Sequence, residues 1–427
     1  MQAFDASSNG PLSGIRVLDL TAVVLGPYAT QILADYGADV IKVEAPEGDL
    51  MRSNGVSRRP GMGSIFLAIN RNKRSIALDL KSPAGLAAIK RLIPTVDVFV
   101  HNMRPSALER LGLSYEVVQA LHPGIVYCAA PGFGQNGPHK DRPAFDDIIQ
   151  AASGLVAINS IGKEKPMFTP SLIADKTVGL AVVNSVLAAL VHKGRTGQGQ
   201  YVEVPMLETM VGFMLAEHLG GLTFEPATAA AGYHRLLSGG REPVPTQDGW
   251  IAMLPYHDKH WAALFNAVDD KGEPLGFSIA DRHARNANVK ALYSRLRELT
   301  VQRTTAQWLI LCDQLDIPAT AIYQLDQLPT HPHLQAVAMF NEVEHPTEGT
   351  IRYVRPSTTF SATPATVRTQ APTVGQHTDE VLREAGFSDV EIAALHRSQD
   401  SSRTSEPPGS SGSPSSSQSP GSSESPA

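Results

Sequence analysis

Apolar positions along the first 130 residues alternate between short runs and longer stripes at helical spacing. Ile15 to Leu20 is an apolar run, and the Gly26-Pro27 pair after it opens a helix at its first position. Ile32, Leu33 and Tyr36 fall at helical spacing, Gly37 is placed to end that helix, and Val40 to Val43 returns as a second strand. This is a βαβ unit, the opening of a doubly wound sheet whose ligand crevice lies beyond the strand carboxyl ends. The turn after the first strand has one glycine, so it lacks the dinucleotide fingerprint, and the crevice needs another ligand.

The alternation continues. Strands are predicted over Ser75–Leu80, Val96–Val100, Ile125–Ala129 and Gln200–Val204. Helices are predicted over Pro83–Ile93, Tyr115–Leu121, Phe145–Val156, Thr177–Val191 and Met206–Leu219. Strand–helix alternation of this kind indicates an α/β fold with a Rossmann-like parallel sheet in a large domain, residues 1–220. From Gly220-Gly221 to Gly240 the chain turns Gly- and Ala-rich and reads as a linker or mobile loop. A smaller second domain, 221–330, holds a strand (Trp250–Leu254) and helices over His257–Val268, Ala287–Leu299 and Thr305–Leu315. Residues 331–397, with strands Phe340–Val343 and Ile351–Val354 and two helices around Gly386, form a C-terminal segment returning to the large domain. Residues 398–427 are almost wholly Ser, Pro, Gly and Glu, a composition too poor in apolar surface to offset its ordering entropy, so a disordered tail is expected.

Composition narrows the function classes. With 427 residues, 42% hydrophobic and 18% charged, the chain has the composition of a globular protein with more than one core. A net charge of -6 argues against a nucleic-acid partner. The sequence shows no uninterrupted apolar run long enough for a membrane span and no secretory start, so a cytoplasmic location is expected. Cys128 and Cys312 are far apart, which excludes a disulfide framework and suits a reducing compartment. Cys128 lies in an apolar strand and reads as a small buried hydrophobe.

Gly132-Phe-Gly-Gln-Asn-Gly137 is a literal GxGxxG after a strand, but Pro138 and a polar stretch replace the helix that would hold a pyrophosphate. A Gly-rich turn is the better reading. Asp175 stands just ahead of a predicted helix, either as its N-cap or as a nucleophilic carboxylate ionised by the helix N-terminus. Arg71, Lys73, Arg74, Lys81, Arg104, Arg110, Lys140 and Arg142 cluster at inferred strand and loop ends, where they could complement a polyphosphate. His257 and His260 lack a third ligand at zinc spacing, and no metal site is expected. HExxH, GxSxG and GxxxxGK[ST] are absent.

Over about residues 11–397 the chain resembles the family III CoA-transferases, the family of formyl-CoA and carnitine CoA-transferases. The resemblance rests on separate motifs: Gly14-Ile-Arg-Val-Leu-Asp-Leu20 with Gly26-Pro27, Gly37-Ala-Asp-Val-Ile-Lys-Val-Glu44, Asn72 to Lys81, Asn102 to Leu113, Gly132 to Pro138, Asp146-Asp-Ile-Ile-Gln-Ala, the Asp175 segment, Gly197 to Val204 and Gly375 to Leu382. It implies that Asp175 is the catalytic nucleophile, passing through an aspartyl acyl anhydride and an aspartyl-CoA thioester. It implies coenzyme A contacts at Val24, Leu25, Leu78, Lys81, Asn102, Met103, Arg104, Arg110, Phe145 and Asp146, the adenine on apolar surface and the phosphates on Arg and Lys. Gly239-Gly240 is the candidate loop of oxyanion donors. No permanently bound cofactor is implied: coenzyme A arrives as an acyl-CoA donor and leaves on a carboxylic acid acceptor. An interlocked homodimer is expected, with no membrane or nucleic-acid partner. One departure is Ala45, where some members carry an arginine after the second strand's acid.

An α-methylacyl-CoA racemase is the nearest alternative, since it shares the fold and the aspartate. The family's racemases place a histidine where this chain has Phe145, and phenylalanine cannot shuttle a proton. A non-catalytic coenzyme A-binding protein would keep the basic cluster without needing an ionised Asp175. An NAD-dependent oxidoreductase rests only on the Gly132 to Gly137 glycines.

Overall fold

The computed structural model describes residues 10–238, 241–268, 275–279 and 281–405. Six strands, β1 (Arg16–Asp19), β2 (Asp39–Glu44), β3 (Lys73–Ala77), β4 (Val98–His101), β5 (Val126–Ala129) and β6 (Gln200–Glu203), form one sheet in the order β3-β2-β1-β4-β5-β6. Every neighbouring pair is parallel. The order reverses between β1 and β4, so the loops leaving their carboxyl ends part and open a crevice. Val17, Leu18, Val40 and Ile41 have no exposed surface, because helices cover both faces of a parallel sheet and its strands become apolar throughout.

The helices of this part are α1 (Leu25–Asp35), α2 (Ser64–Ile69), α3 (Pro83–Leu92), α4 (Pro105–Arg110), α5 (Tyr115–Leu121), α6 (Asp146–Ala152), α7 (Leu155–Asn159), α8 (Ile173–Thr196) and α9 (Met206–His218). On one face Leu33 of α1, Ile149 of α6, Val178, Val182 and Val186 of α8 and Met210 of α9 pack on Val98, Val100 and Val126. On the other face Ile89, Leu108 and Val118 pack on Leu18, Ile41 and Phe99. That second face also receives α16 (Thr378–Glu384) and α17 (Asp389–Ser405), through Val381, Leu382, Ile392 and Leu395, so the C-terminal segment comes back to the large sheet.

A separate core lies farther along the chain. After the one-turn α10 (His234–Leu237), an antiparallel sheet of β7 (Val244–Pro245), β8 (Trp250–Met253) and β9 (Ala319–Ala321) packs with α11 (Asp258–Ala267), α12 (Arg282–Ala287), α13 (Val289–Thr300) and α14 (Thr305–Gln314). Trp261, Leu264, Leu292, Leu296 and Trp308 fill it. α15 (Pro332–Ala336) and a hairpin, β10 (Phe340–His345) with β11 (Gly349–Val354), complete the described chain.

Three expectations need correction. The helix predicted over Phe145–Val156 is two helices, because Gly154 adopts φ +87° and breaks the stripe. α8 begins at Ile173 and not at Thr177, which puts Asp175 inside its first turn; its N-cap is Leu172, without a side-chain acceptor. α17 runs through Ser405, past the point where the tail was expected to begin. The remainder of the expected tail, 406–427, lies outside the described residues. α8 is long and apolar enough by length and composition to cross a membrane, yet here it packs along the sheet with Val178, Val182 and Val186 fully buried.

Candidate active site

The loop from Leu20 to Val24, at the carboxyl end of β1, is held by buried charges. Asp19 accepts hydrogen bonds from the Thr21 amide and hydroxyl (2.9 and 2.5 Å) and from the Thr30 hydroxyl (2.6 Å). Lys73 pairs with it at 3.2 Å, and burial lowers the ammonium of Lys73 to about 8. Lys42 donates to the Thr21 carbonyl (2.9 Å) and to Asp49 (2.8 Å). Asp49 in turn accepts from the Val23 amide at 3.3 Å. Asn102, just past β4, accepts from the Ala22 amide (3.0 Å) and donates to the Ala22 carbonyl (2.8 Å). Val23 sits at φ +71°, a conformation costly for a β-branched residue and sustained only where the surroundings over-determine it.

Two chambers meet over this loop, sharing Ala22 and Met103. The outer one, about 540 Å³, has Leu20, Val43 and Leu78 on its apolar wall and Lys81 and Arg110 at its edge. Neither cation has a carboxylate partner among the described residues. Lys42 also faces this chamber, but its charge is taken by Asp49. Ala45 lines it too, so the cations here come from β3's far end and from α4.

The inner chamber, about 260 Å³, is lined by Asp175 together with Val23, Leu25 and Phe145, and Arg104, Lys140 and Arg142 lie elsewhere on its wall. These three cations have no carboxylate partner among the described residues. Asp175 is 7% exposed. α8 brings it there by lying tightly on α1: a Cβ at Gly179 would fall 2.8 Å from the Leu25 carbonyl oxygen. The cap that Leu172 cannot supply comes from Asp146, whose carboxylate accepts the Asp175 amide at 3.0 Å and a Gln150 side-chain N–H at 2.5 Å. Burial, then the charges of Asp146 and Asp147, push the Asp175 carboxyl up to about 7. A carboxyl so placed titrates near neutrality, within reach of both protonation states at working pH.

The sequence-derived site residues therefore divide. Leu25, Asn102, Met103, Arg104, Phe145 and Asp175 come together in the inner chamber, and Leu78, Lys81, Met103 and Arg110 in the outer one. Val24 does not reach the groove; it is buried beside Met51, Phe66 and Ile69. Asp146 lies beneath the wall, 4% exposed. Gly239-Gly240 lies outside the described residues. The basic cluster splits in the same way: Arg71 pairs with Asp35, Lys73 with Asp19, and Arg74 with Asp39, Glu380 and Glu384. They sit before or at the amino end of β3, away from the crevice, and serve as structural ion pairs rather than phosphate contacts.

The amides at the centre of the Gly132 to Gly137 loop are committed within the chain. The Gly134 amide donates to Glu208 and the Gln135 amide to Glu203, each at 2.9 Å, so carboxylates of this chain already occupy those donors. His257 and His260 are spent on capping α11. Cys128 is fully buried and burial pushes its thiol up to about 12, as a packed apolar residue requires. Residues that sequence reasoning missed are Val23, Lys42 and Asp49, whose roles depend on contacts between distant loops. The signal available was Lys42 itself, a lone ammonium between the apolar Ile41 and Val43 of β2.

A Rossmann-type sheet with an apolar groove at its switch point, cations along the groove and one carboxyl at its inner end defines an enzyme that handles an anionic, partly apolar substrate such as an acyl thioester. Residues 12–378 match the model of "CoA-transferase family III". A succinate–glutarate CoA-transferase of Agrobacterium fabrum is 34% identical, the alignment covering 88% of this chain and 95% of that protein. A formyl-CoA:oxalate CoA-transferase of Rhodopseudomonas palustris is 32% identical over 91% of this chain and 96% of the other. The crystal structure of Rv3272 from Mycobacterium tuberculosis superposes with a TM-score of 0.76 at 29% identity, covering 87% of this chain and 98% of that one. The chain belongs to CoA-transferase family III, as its motifs led us to expect. It is an enzyme that transfers coenzyme A between an acyl-CoA thioester and a free acid.

Proposed function

We propose that Asp175 carries coenzyme A transfer through covalent intermediates, between short dicarboxylic acids. The Asp175 carboxylate attacks the thioester carbonyl, and the C–S bond breaks to give an aspartyl acyl anhydride and the CoA thiolate. That thiolate attacks the aspartyl carbonyl, releasing the donor acid as a carboxylate and leaving an aspartyl-CoA thioester. The acceptor carboxylate then displaces the thiolate, forming a second anhydride, and the thiolate attacks the acceptor's carbonyl to give the new acyl-CoA and free Asp175. The acyl group stays activated at every stage, and the overall exchange trades one thioester for another, the advantage of covalent relay.

The observation that carries this reading is the inner chamber itself: a single carboxyl on its described wall, which also bears three cations with no carboxylate partner among the described residues. Those cations suit the remote carboxylate of a dicarboxylic acid, the class to which succinate, glutarate and oxalate in the relatives' names belong. The outer chamber suits the adenine and phosphates of coenzyme A, Lys81 and Arg110 facing the charge. A homodimer is part of the reading, because α8 and α9 leave Leu180, Val191 and Phe213 about half exposed on otherwise apolar helices. A reducing, cytoplasmic setting fits two buried thiols with no disulfide among the described residues. Racemisation has less support, because Phe145 occupies the chamber where a second acid/base group is needed.

The test is trapping. Turnover with succinyl-CoA and glutarate, quenched with hydroxylamine, should yield an aspartyl hydroxamate at Asp175 by mass spectrometry. Asp175→Ala should bind coenzyme A and transfer nothing. Absence of label at Asp175 during turnover, or transfer by the alanine variant, would overturn the mechanism.

A further inference from the structure

Outside the groove, the second core carries a cavity of about 350 Å³ that shares no lining residue with either chamber. Its charged wall is lopsided. Arg235, Lys259, Arg282 and Arg285 face it, against the single acid Asp258. That acid is already committed to Arg285, which also donates to the Ile279 carbonyl. Lys259 pairs with Asp316 at 3.1 Å. Arg235 and Arg282 are left with no carboxylate partner among the described residues, in a protein of net charge -6. Arg235 is not loose: its guanidinium lies 4.6 Å over the Tyr256 ring, which orients its donors.

A second observation comes from Tyr293 of α13. Its ring is 3% exposed, packed edge-on against Trp261 at 5.6 Å. Tyr293 lines the cavity, and its hydroxyl is a buried polar group with no hydrogen-bond partner, within the electrostatic reach of Arg235. Buried hydroxyls are satisfied in nearly all folded proteins, so one left open beside unpaired guanidiniums has the form of a site awaiting an acceptor. Oxygen atoms of an oxyanion accept from a phenol and from guanidinium alike. The space exceeds what a lone inorganic ion fills and has aromatic walls from Tyr256 and Trp261.

We propose that this cavity is a second anion-binding site, taking a small organic acid or phosphate ester through oxygens held by Arg235, Arg282 and the Tyr293 hydroxyl. It is independent of the transfer reaction, so the site stands or falls apart from the role of Asp175.

The experiment uses the full chain with saturating coenzyme A, which fills the catalytic groove. Citrate and, separately, inorganic phosphate are titrated by calorimetry, the two arms distinguishing carboxylate from phosphate recognition. Saturable binding of one of them is expected. It should weaken on the order of tenfold or more in the Arg235→Gln/Arg282→Gln double variant and several-fold in Tyr293→Phe. Tyr293→Phe keeps the ring packing, so its unfolding temperature should match the parent's, and Asp175→Ala should bind as the parent does. No saturable binding of either anion, equal binding by the double variant and Tyr293→Phe, or competition by coenzyme A would each overturn the proposal.

Discussion

Asp175→Asn should make the protein more stable while abolishing transfer, and the gain should depend on pH. Burial and the neighbouring Asp146 and Asp147 raise the Asp175 carboxyl from 3.8 to about 7. In the folded chain the carboxyl therefore holds its proton where the unfolded chain has released it. Stability falls as pH rises from 3.8 towards 7, because the folded state binds more protons across that window. At about 1.4 kcal/mol per tenfold change in proton affinity, the penalty approaches about 1.5 kcal/mol at pH 5 and roughly 4 kcal/mol at pH 8. Asparagine matches the shape and never ionises, so the variant should recover most of that difference. Urea unfolding of parent and variant at the two pH values measures it, with circular dichroism of the large sheet as the probe. A variant no more stable than the parent at pH 8, or a gain equal at both pH values, would refute the reasoning. Transfer should drop by on the order of 10³-fold or more, since the amide cannot act as nucleophile. On the proposed mechanism, Asp175 is thus a place where function is held against stability.

Two further outcomes follow from the same geometry. The transfer rate should rise with pH through about 7 as Asp175 ionises, and Asp146→Asn should move that midpoint downward, since it removes a repelling charge while keeping the oxygen that accepts the Asp175 amide; an unmoved pH–rate profile would remove Asp146 from the electrostatics of the site. Lys81→Ala or Arg110→Ala should raise the KM for acyl-CoA on the order of tenfold with kcat little changed, the loss expected when one charge-assisted contact to phosphate is removed; a fall in kcat at constant KM would place these cations at the reacting centre instead.

Much of the site was legible because it lies where local pattern and topology agree. The apolar runs at Ile15, Val40 and Val96 and the intervening helical stripes define parallel strands, and parallel strands place ligands at their carboxyl ends. Leu78, Lys81, Asn102, Met103 and Arg104 follow strands, and the fold carries them to the crevice. Arg71, Lys73 and Arg74 looked equivalent in the sequence, since charge alone does not say which end of a strand it marks. β7 and β9, with two and three residues, are too short for a periodic signal.

The chain's local chemistry indicated most element types and carried the family motifs, and those motifs singled out Asp175 as the candidate carboxyl. Tertiary structure decided that Asp175 lies within the first turn of α8 rather than at its cap, that Asp146 lends the missing cap from another helix, and that Lys42 and Asp49 hold Val23 in its left-handed conformation. Those are contacts between residues distant along the chain, made only when the sheet closes and desolvates them. Periodicity records which face a residue turns inward; it carries no record of which charge will meet it there.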